Sequence, residues 1–226
     1  MKRKIDNKED KTIRNIVFVV VILFIIIFAY VKVIHPYFKA KNSNNFEFVG
    51  IPFIKEVSGE VTFYTASIPI YQHKGPIRIY KGNISLDFRN DPRELVKQVN
   101  ISGEKILFNI NKTIYVTTPK DLPNCEGDLG LALVNQGRFL GIIGINVNGS
   151  YDDKEYANQT KFPYATCENN PNNTVIYLKQ NNETKIEISN NCFILEFKDC
   201  EILKATERFQ FAILEQYSEY ENLEKK

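Results

Sequence analysis

A chain of 226 residues with 29 basic and 27 acidic side chains has a formal net charge of +2, a balance that excludes a polyanion-binding surface built on bulk charge. Six of those Lys and Arg crowd into residues 1–15, beside Asp6, Glu9 and Asp10, leaving 23 basic and 24 acidic residues in the remainder. That remainder is long enough for one domain with a sizeable core, and the sixteen Phe and twelve Tyr of the chain can fill it without Trp.

Residues 1–15 read as a cytoplasmic tail whose Lys2, Arg3, Lys4, Lys8, Lys11 and Arg14 set topology. From Ile16 to Val31 no charge interrupts the chain, and the apolar run continues past Lys32 to His35-Pro36. At about 1.5 Å per residue the run spans roughly 30 Å, the hydrocarbon thickness of a bilayer. Lys32 can raise its amine to the headgroups, and Tyr30 and Tyr37 suit the outer interface. The segment has no water-facing side, which argues against a buried core helix. It is long for a cleaved signal peptide, and Ala29-Tyr30-Val31 is a poor cleavage site. We expect an uncleaved transmembrane anchor over 16–35, with the more basic N-terminal flank in the cytoplasm and the rest outside.

Beyond the anchor, residues 36–50 are polar and Asn-rich and read as a stalk. A β-rich lobe is expected over 51–118. Glu60–Thr65, Pro76–Tyr80 and Asn83–Phe88 are its first strands, with Lys81-Gly82 as a break, and Ile106–Ile110 and Thr113–Thr117 follow. Between them Arg89-Asn-Asp-Pro-Arg-Glu-Leu95 reads as a helix start with Asp91 as N-cap, Pro92 at the first position and Glu94 completing a capping box. An α/β lobe is expected over 119–220, with a polar tail at 221–226. Asp128–Ile143 has the spacing of a helix, with Leu129, Ala132, Gln136 and Leu140 near one face. Its Gly130, Gly137 and Gly141 would permit close packing on a sheet. Gly144–Asn148 and Phe162–Cys167 read as strands, with one or two helical turns in Asp152–Asn158. Thr174–Leu178, Lys185–Ser189 and Cys192–Lys198 read as a meander turning at Asn181-Asn182 and Asn190-Asn191. A last helix spans Glu201–Tyr220, with Ile202, Thr206, Phe209, Ile213 and Tyr217 as its stripe. The fold class is α/β, or α+β, with the two lobes following a single spanning helix.

Cys125, Cys167, Cys192 and Cys200 all fall after the anchor. An even count in an oxidising compartment points to two disulfides. Their spacings of 42, 25 and 8 residues contain no C-x-x-C, and no His is near, so zinc is disfavoured. A strand from Cys192 toward Cys200 would hold its ends roughly 20 Å apart, well beyond the reach of a disulfide. The favoured connectivity joins Cys125 to Cys200 and Cys167 to Cys192; the alternative joins Cys125 to Cys192 and Cys167 to Cys200. Seven N-x-S/T sequons, at Asn83, Asn100, Asn111, Asn148, Asn158, Asn172 and Asn182, also follow the anchor. Chance would give about two, and the excess points to N-glycans, although an Asn-rich composition alone raises the count.

No catalytic constellation stands out. A nucleophile needs a base, and of the two histidines His35 lies at the expected membrane surface and His73 in an expected loop. Asp152-Asp153, or Asp87 with Asp91, could do acid–base work or hold a cation, but such pairs are common in turns. Gly127-Asp-Leu-Gly130 looks like a phosphate-binding turn yet lacks the P-loop and dinucleotide patterns. Arg89, Asp91 and Arg93 form the most distinctive polar cluster. It reads either as a recognition surface or as a capped turn with an internal ion pair, and the second is favoured. No cofactor or metal is implied.

Three segments together resemble one class of proteins: Phe88-Arg-Asn-Asp-Pro-Arg-Glu-Leu95; Tyr164-Ala-Thr-Cys-Glu-Asn169 with Thr174-Val-Ile; and Asn191-Cys-Phe through Asp199-Cys-Glu-Ile-Leu-Lys-Ala-Thr-Glu-Arg-Phe209. The combination resembles uncharacterised membrane-anchored, exported proteins of small-genome, symbiotic-type archaea, over roughly residues 60–215. The resemblance carries no established activity. It implies an archaeal cell surface and a structural role for the cysteines. The expectation is a cell-surface glycoprotein of the cell membrane, structural or partner-binding, within an envelope or appendage assembly, whose partners are the membrane and other surface proteins. The alternative is an exported enzyme or small-ligand binder with its site near Cys125–Gly130.

Overall fold

The structure is a computed structural model that describes Phe18, residues 20–25, 27–28, Tyr30, Lys32, 44–74, 77–108 and 112–224. It divides into two units, 1–46 and 47–226. In the first unit Phe18, residues 20–25, Ile27 and Phe28 are helical and every one is exposed. Among the described residues no helix is long and apolar enough to cross a membrane. Much of the expected anchor at 16–35, and all of the tail at 1–15, lies outside the described residues.

The second unit begins within the expected stalk. Asn45–Phe48 forms a strand, β1, where the Asn-rich composition had pointed to stalk. Its Phe48 packs edge-on against Phe53 and Phe211, with centroids 6.1 and 5.7 Å away. With β2 (Ile51–Ser58), β3 (Val61–Lys74) and β4 (Ile77–Phe88) it makes a four-stranded sheet in the order β1-β2-β3-β4. The pairings β2–β3 and β3–β4 are antiparallel. The break expected at Lys81-Gly82 is a bulge within one strand. The register steps from Ile70↔Gly82 to Tyr71↔Tyr80, which leaves Lys81 as the extra residue. Gly82 takes φ +132° there, a conformation open to a residue without Cβ.

The second sheet has six strands: β5 (Asn100–Gly103), β6 (Ile114–Thr118), β7 (Val147–Tyr151), β8 (Thr174–Gln180), β9 (Lys185–Ser189) and β10 (Cys192–Phe197). Their order is β5-β9-β10-β8-β6-β7. Only β9–β10 is antiparallel; β5–β9, β10–β8, β8–β6 and β6–β7 are parallel. The expected meander of β8, β9 and β10 is therefore not formed. The chain leaves β8, passes over the end of β10, descends as β9 and returns as β10 into the gap between them. Phe193, Leu195 and Phe197, on one face of β10, are fully buried, while the other face carries Cys192, Ile194 and the buried Glu196, as an interior strand covered on both sides allows. The strand β6, expected in the first lobe, belongs to this sheet, as does β5, a strand not expected from the sequence. Residues 105–108 are not strand, and 109–111 lie outside the described residues. Of the strand expected at Phe162–Cys167 only a bridge, Tyr151 to Tyr164, exists.

Four helices complete the unit: α1 (Pro92–Gln98), α2 (Asp128–Ile142), α3 (Lys154–Thr160) and α4 (Ile202–Glu224). The cap of α1 is Asp91, whose side chain accepts from the Arg93 amide at 3.0 Å, with Pro92 in the first turn. Glu94 pairs with Lys97 (3.3 Å), one turn along the same helix. The end of α2 is a two-bond cap: the Ile145 amide donates to Leu140 O at 2.8 Å and the Gly144 amide to Gly141 O at 3.1 Å. Gly144 sits at φ +82°, as this cap requires. The glycines inside α2 do not serve close packing, because a Cβ at Gly130, Gly137 or Gly141 would meet nothing within 4 Å.

The core lies around α4. Residues 205–212 are buried on every side. Phe209 and Phe211, two residues apart and so about 200° apart around the helix, face different sheets. Phe209 meets Phe193 of the six-stranded sheet at 5.8 Å, and Phe211 meets Phe88 of the four-stranded sheet at 4.7 Å. One helix is thus the common core of both sheets. It also runs to Glu224, through the expected polar tail.

Candidate functional site

The two disulfides lie at opposite ends of β10 in the six-stranded sheet, one at its first residue and one beyond its last. Cys125 opens a 3-10 turn, Cys125–Gly127, that leads into α2, and Cys200 lies two residues before α4. They are joined, with Cα atoms 5.4 Å apart. Cys167, in the turn after the Tyr164 bridge, is joined to Cys192 at the start of β10, again at 5.4 Å. This is the favoured connectivity, and no cysteine is free. The first bond joins two turns held in unusual backbone: Cys125 and Glu126 in one and Asp199 in the other have φ of +50°, +57° and +48°. Left-handed L-residues cost roughly 1–2 kcal/mol each, so a cross-link at this point holds together two turns that local preference would not.

The cluster of Arg89, Asp91 and Arg93 resolves into internal bonds. Arg93 Nε and Nη2 grip Asp91 at 2.9 and 2.6 Å, and this bond to Asp91, more than burial opposing it, holds the guanidinium more firmly protonated. Arg89 lies over the Phe63 ring, 5.6 Å from its centroid. The backbone amides of Arg89 and Asn90 and the Asn90 side-chain amide all donate to Glu207 of α4, at 2.7, 2.9 and 2.8 Å. Glu207 is 1 % exposed. Burial pushes its carboxyl up to about 7, against the pull of these donors. The loop from β4 to α1 is therefore pinned to the central helix by a buried carboxyl.

Two further polar ties on α4 were hidden by the amphipathic pattern. Gln210 donates to Gln136 of α2 at 2.9 Å, in the interior. Arg208 reaches Val99 O at 3.3 Å and Glu215 at 3.2 Å. The available signal was Phe209 beside Phe211: apolar residues on opposite sides of a helix leave no outward face for the polar residues between them. A third tie is Glu196 on β10, 3 % exposed, facing Lys179 and Lys185 of the neighbouring strands at 2.8 and 3.4 Å. Burial pushes its carboxyl up, but Lys179, Asn181 and Lys185 outweigh that and hold it below the usual carboxylate range.

The acidic pairs are likewise occupied. Asp152 accepts from the Tyr177 hydroxyl at 2.6 Å, and burial followed by this bond raises the Tyr177 pKa. Asp153 caps α3 through the Tyr156 amide and pairs with Lys120 at 2.7 Å; Lys120 first, then the cap, hold its carboxyl low. Asp87 accepts from Thr65 at 2.8 Å. Asp87 and Asp91 lie at the two ends of the β4–α1 connection and bond to different partners. His73 is in β3, opposite Arg78, and not in a loop; His35 lies outside the described residues. Among the described residues no group of three or more His, Cys, Asp or Glu is placed to hold a metal ion.

Of the sequon asparagines, Asn111 lies outside the described residues, and Asn83, Asn100, Asn148, Asn158, Asn172 and Asn182 are all exposed. Cavities occur away from Cys125–Gly130. The most apolar, of about 360 Å³, is a groove between β3, the end of α2 and α4, lined by Ile68, Ile70, Ile142, Ile143, Leu214 and Tyr217 among others. Comparison of the chain with protein families, with curated proteins and with solved structures finds no match to any of them.

Proposed function

We propose that the chain is a single-pass, membrane-anchored cell-surface glycoprotein whose outer domain is a structural or partner-binding component of an envelope or appendage assembly, archaeal if the resemblance holds. One observation carries the reading. All four cysteines are consumed in two disulfides that bridge distant parts of one sheet, and such bonds persist where the surroundings are oxidising. Support comes from the anchor-length apolar run of 16–35 with its basic N-terminal flank, from the exposed helical apolar residues between Phe18 and Phe28, and from the exposed sequons. The polar clusters are engaged in holding α4, the turns and the strands together, which favours a scaffold over a reaction centre.

The test is made on intact producing cells. The protein is expected to resist carbonate extraction, to lose residues 47–226 to added protease while keeping its N-terminal tail, and to be recovered cross-linked to other surface proteins. Release into the soluble fraction, protection from protease, or recovery only as free monomer would overturn the reading.

The apolar groove favours a second reading, an exported binder of a small apolar ligand. Its volume suits such a ligand. Lipid extraction and mass spectrometry of the purified protein should then yield one bound species in stoichiometric amount, lost on Leu214→Gln; an empty extract rejects it.

A further inference from the structure

The outer strands of the two sheets are β1 and β4 in one and β5 and β7 in the other, the last residue of β7 being already bridged to Tyr164. An unpaired edge offers its backbone donors and acceptors to any other strand, and an exported protein at high local density must blunt it. Three described sequon asparagines fall on strands. Asn83 is on β4, Asn100 on β5 and Asn148 on β7, all of them edges. The interior strands β2, β3, β6, β8, β9 and β10 carry none. The other three described sequons lie on α3 or in loops.

We infer that N-linked glycans on Asn83, Asn100 and Asn148 cap three of the four sheet edges and prevent the domain from pairing edge to edge. The inference rests on the glycoprotein reading above. The donor is a lipid-linked (pyro)phosphoryl glycan. The Asn Nδ2 bonds to the anomeric carbon, the carbon–oxygen bond to phosphate breaks, the lipid (pyro)phosphate leaves with the electron pair, and the amide proton passes to a base of the transferase. One N–H remains. At Asn83 it can keep the bond to Ser67 Oγ (2.9 Å), while Oδ1 keeps that from Tyr80 (2.8 Å).

The order of events is also fixed. The Ser150 hydroxyl, which completes the Asn148 sequon, is 3 % exposed and lies 2.7 Å from Thr117 Oγ1. A transferase that reads that hydroxyl reaches it only before β7 docks. Glycan transfer at Asn148 therefore precedes folding.

Glycopeptide mass spectrometry of the full-length protein from its membrane should find glycan on all three edge asparagines. The triple variant N83Q/N100Q/N148Q, solubilised in detergent, should shift from monomer to oligomer in sedimentation velocity. The control N158Q/N172Q/N182Q should not. Because Asn83→Gln also loses two side-chain bonds, a second set, S85A/S102A/N148Q, removes the same sequons with Asn83 intact and should shift likewise. Unmodified edge asparagines, or edge variants that sediment like the control, would overturn the inference. Glycan on the loop sites with bare edges leaves the glycoprotein reading standing and sinks only this one; bare sites throughout, in a protein not held by the membrane, sink both.

Discussion

The two sheets share one helix but are secured to it by different means. Both disulfides lie in the six-stranded sheet and its connections: one spans from the turn before α2 to the turn before α4, the other from the loop before β8 to β10. The four-stranded sheet has no covalent tie. It rests on aromatic packing of Phe48, Phe53 and Phe88 around Phe211 and on the Glu207 clamp at its exit. Its strands follow one another in sequence order with two-residue connections, whereas the strand order of the six-stranded sheet is set by partners far apart in the chain. Non-local pairing carries a larger loop-closure cost, and the cross-links are placed where that cost is incurred. Locally connected strands are held by side chains alone.

Four changes test this contrast, taken from the largest expected effect down. Removing the Cys125–Cys200 bond by paired Ser substitution frees a loop of 75 residues, and the chain-entropy relation gives a loss of about 4.5 kcal/mol. Urea unfolding should show the loss, with hydrogen exchange rising first in the six-stranded sheet. Phe211→Ala should cost about 4 kcal/mol, as for a fully buried aromatic, but exchange should then rise first in β2, β3 and β4. Equal loosening of both sheets by either change would erase the distinction.

The third change concerns pH. The Glu207 carboxyl is raised to about 7 in the fold from an ordinary 4.5. The folded form therefore binds a proton more readily than the unfolded one. This contribution is present in full below about pH 4.5 and is lost as pH rises through 7. The difference between wild type and Glu207→Gln should change by about 3 kcal/mol from pH 4 to pH 8, measured by denaturant unfolding at a series of pH values. A difference independent of pH would show that the clamp does not titrate. Last, Asp91→Ala removes the α1 cap and the grip on Arg93, and should cost about 1 kcal/mol without moving the unfolding slope.

The parts of this fold that were legible in the chain are those written in adjacent residues. Asp91-Pro92 announces the start of α1, Asp128–Ile143 has a helical spacing that ends within one residue of α2, and β-formers mark β3, β8, β9 and β10. The length of one strand keeps Cys192 away from Cys200, which leaves two pairings, and the one observed was favoured because Cys125 and Cys200 both precede helices that follow strands. What was not legible depends on who lies beside whom. Nothing local in Thr174–Lys198 says that β10 enters between β8 and β9, since a hairpin turn at Asn190-Asn191 serves a meander equally well. Glu207, Arg208 and Gln210 look like a solvent face until a second sheet covers them. Of the polar cluster at Arg89–Arg93, the ion pair was visible in sequence, but its attachment to Glu207, more than a hundred residues away, was not.

The helix that serves both sheets follows every one of their strands in sequence. In synthesis from the N-terminus every strand emerges before Phe209 and Phe211 do, and neither sheet can bury its inner face against them until they arrive. Until then the sequon hydroxyls of Ser150 and the fully buried Thr174 are open to enzymes that the finished domain would exclude.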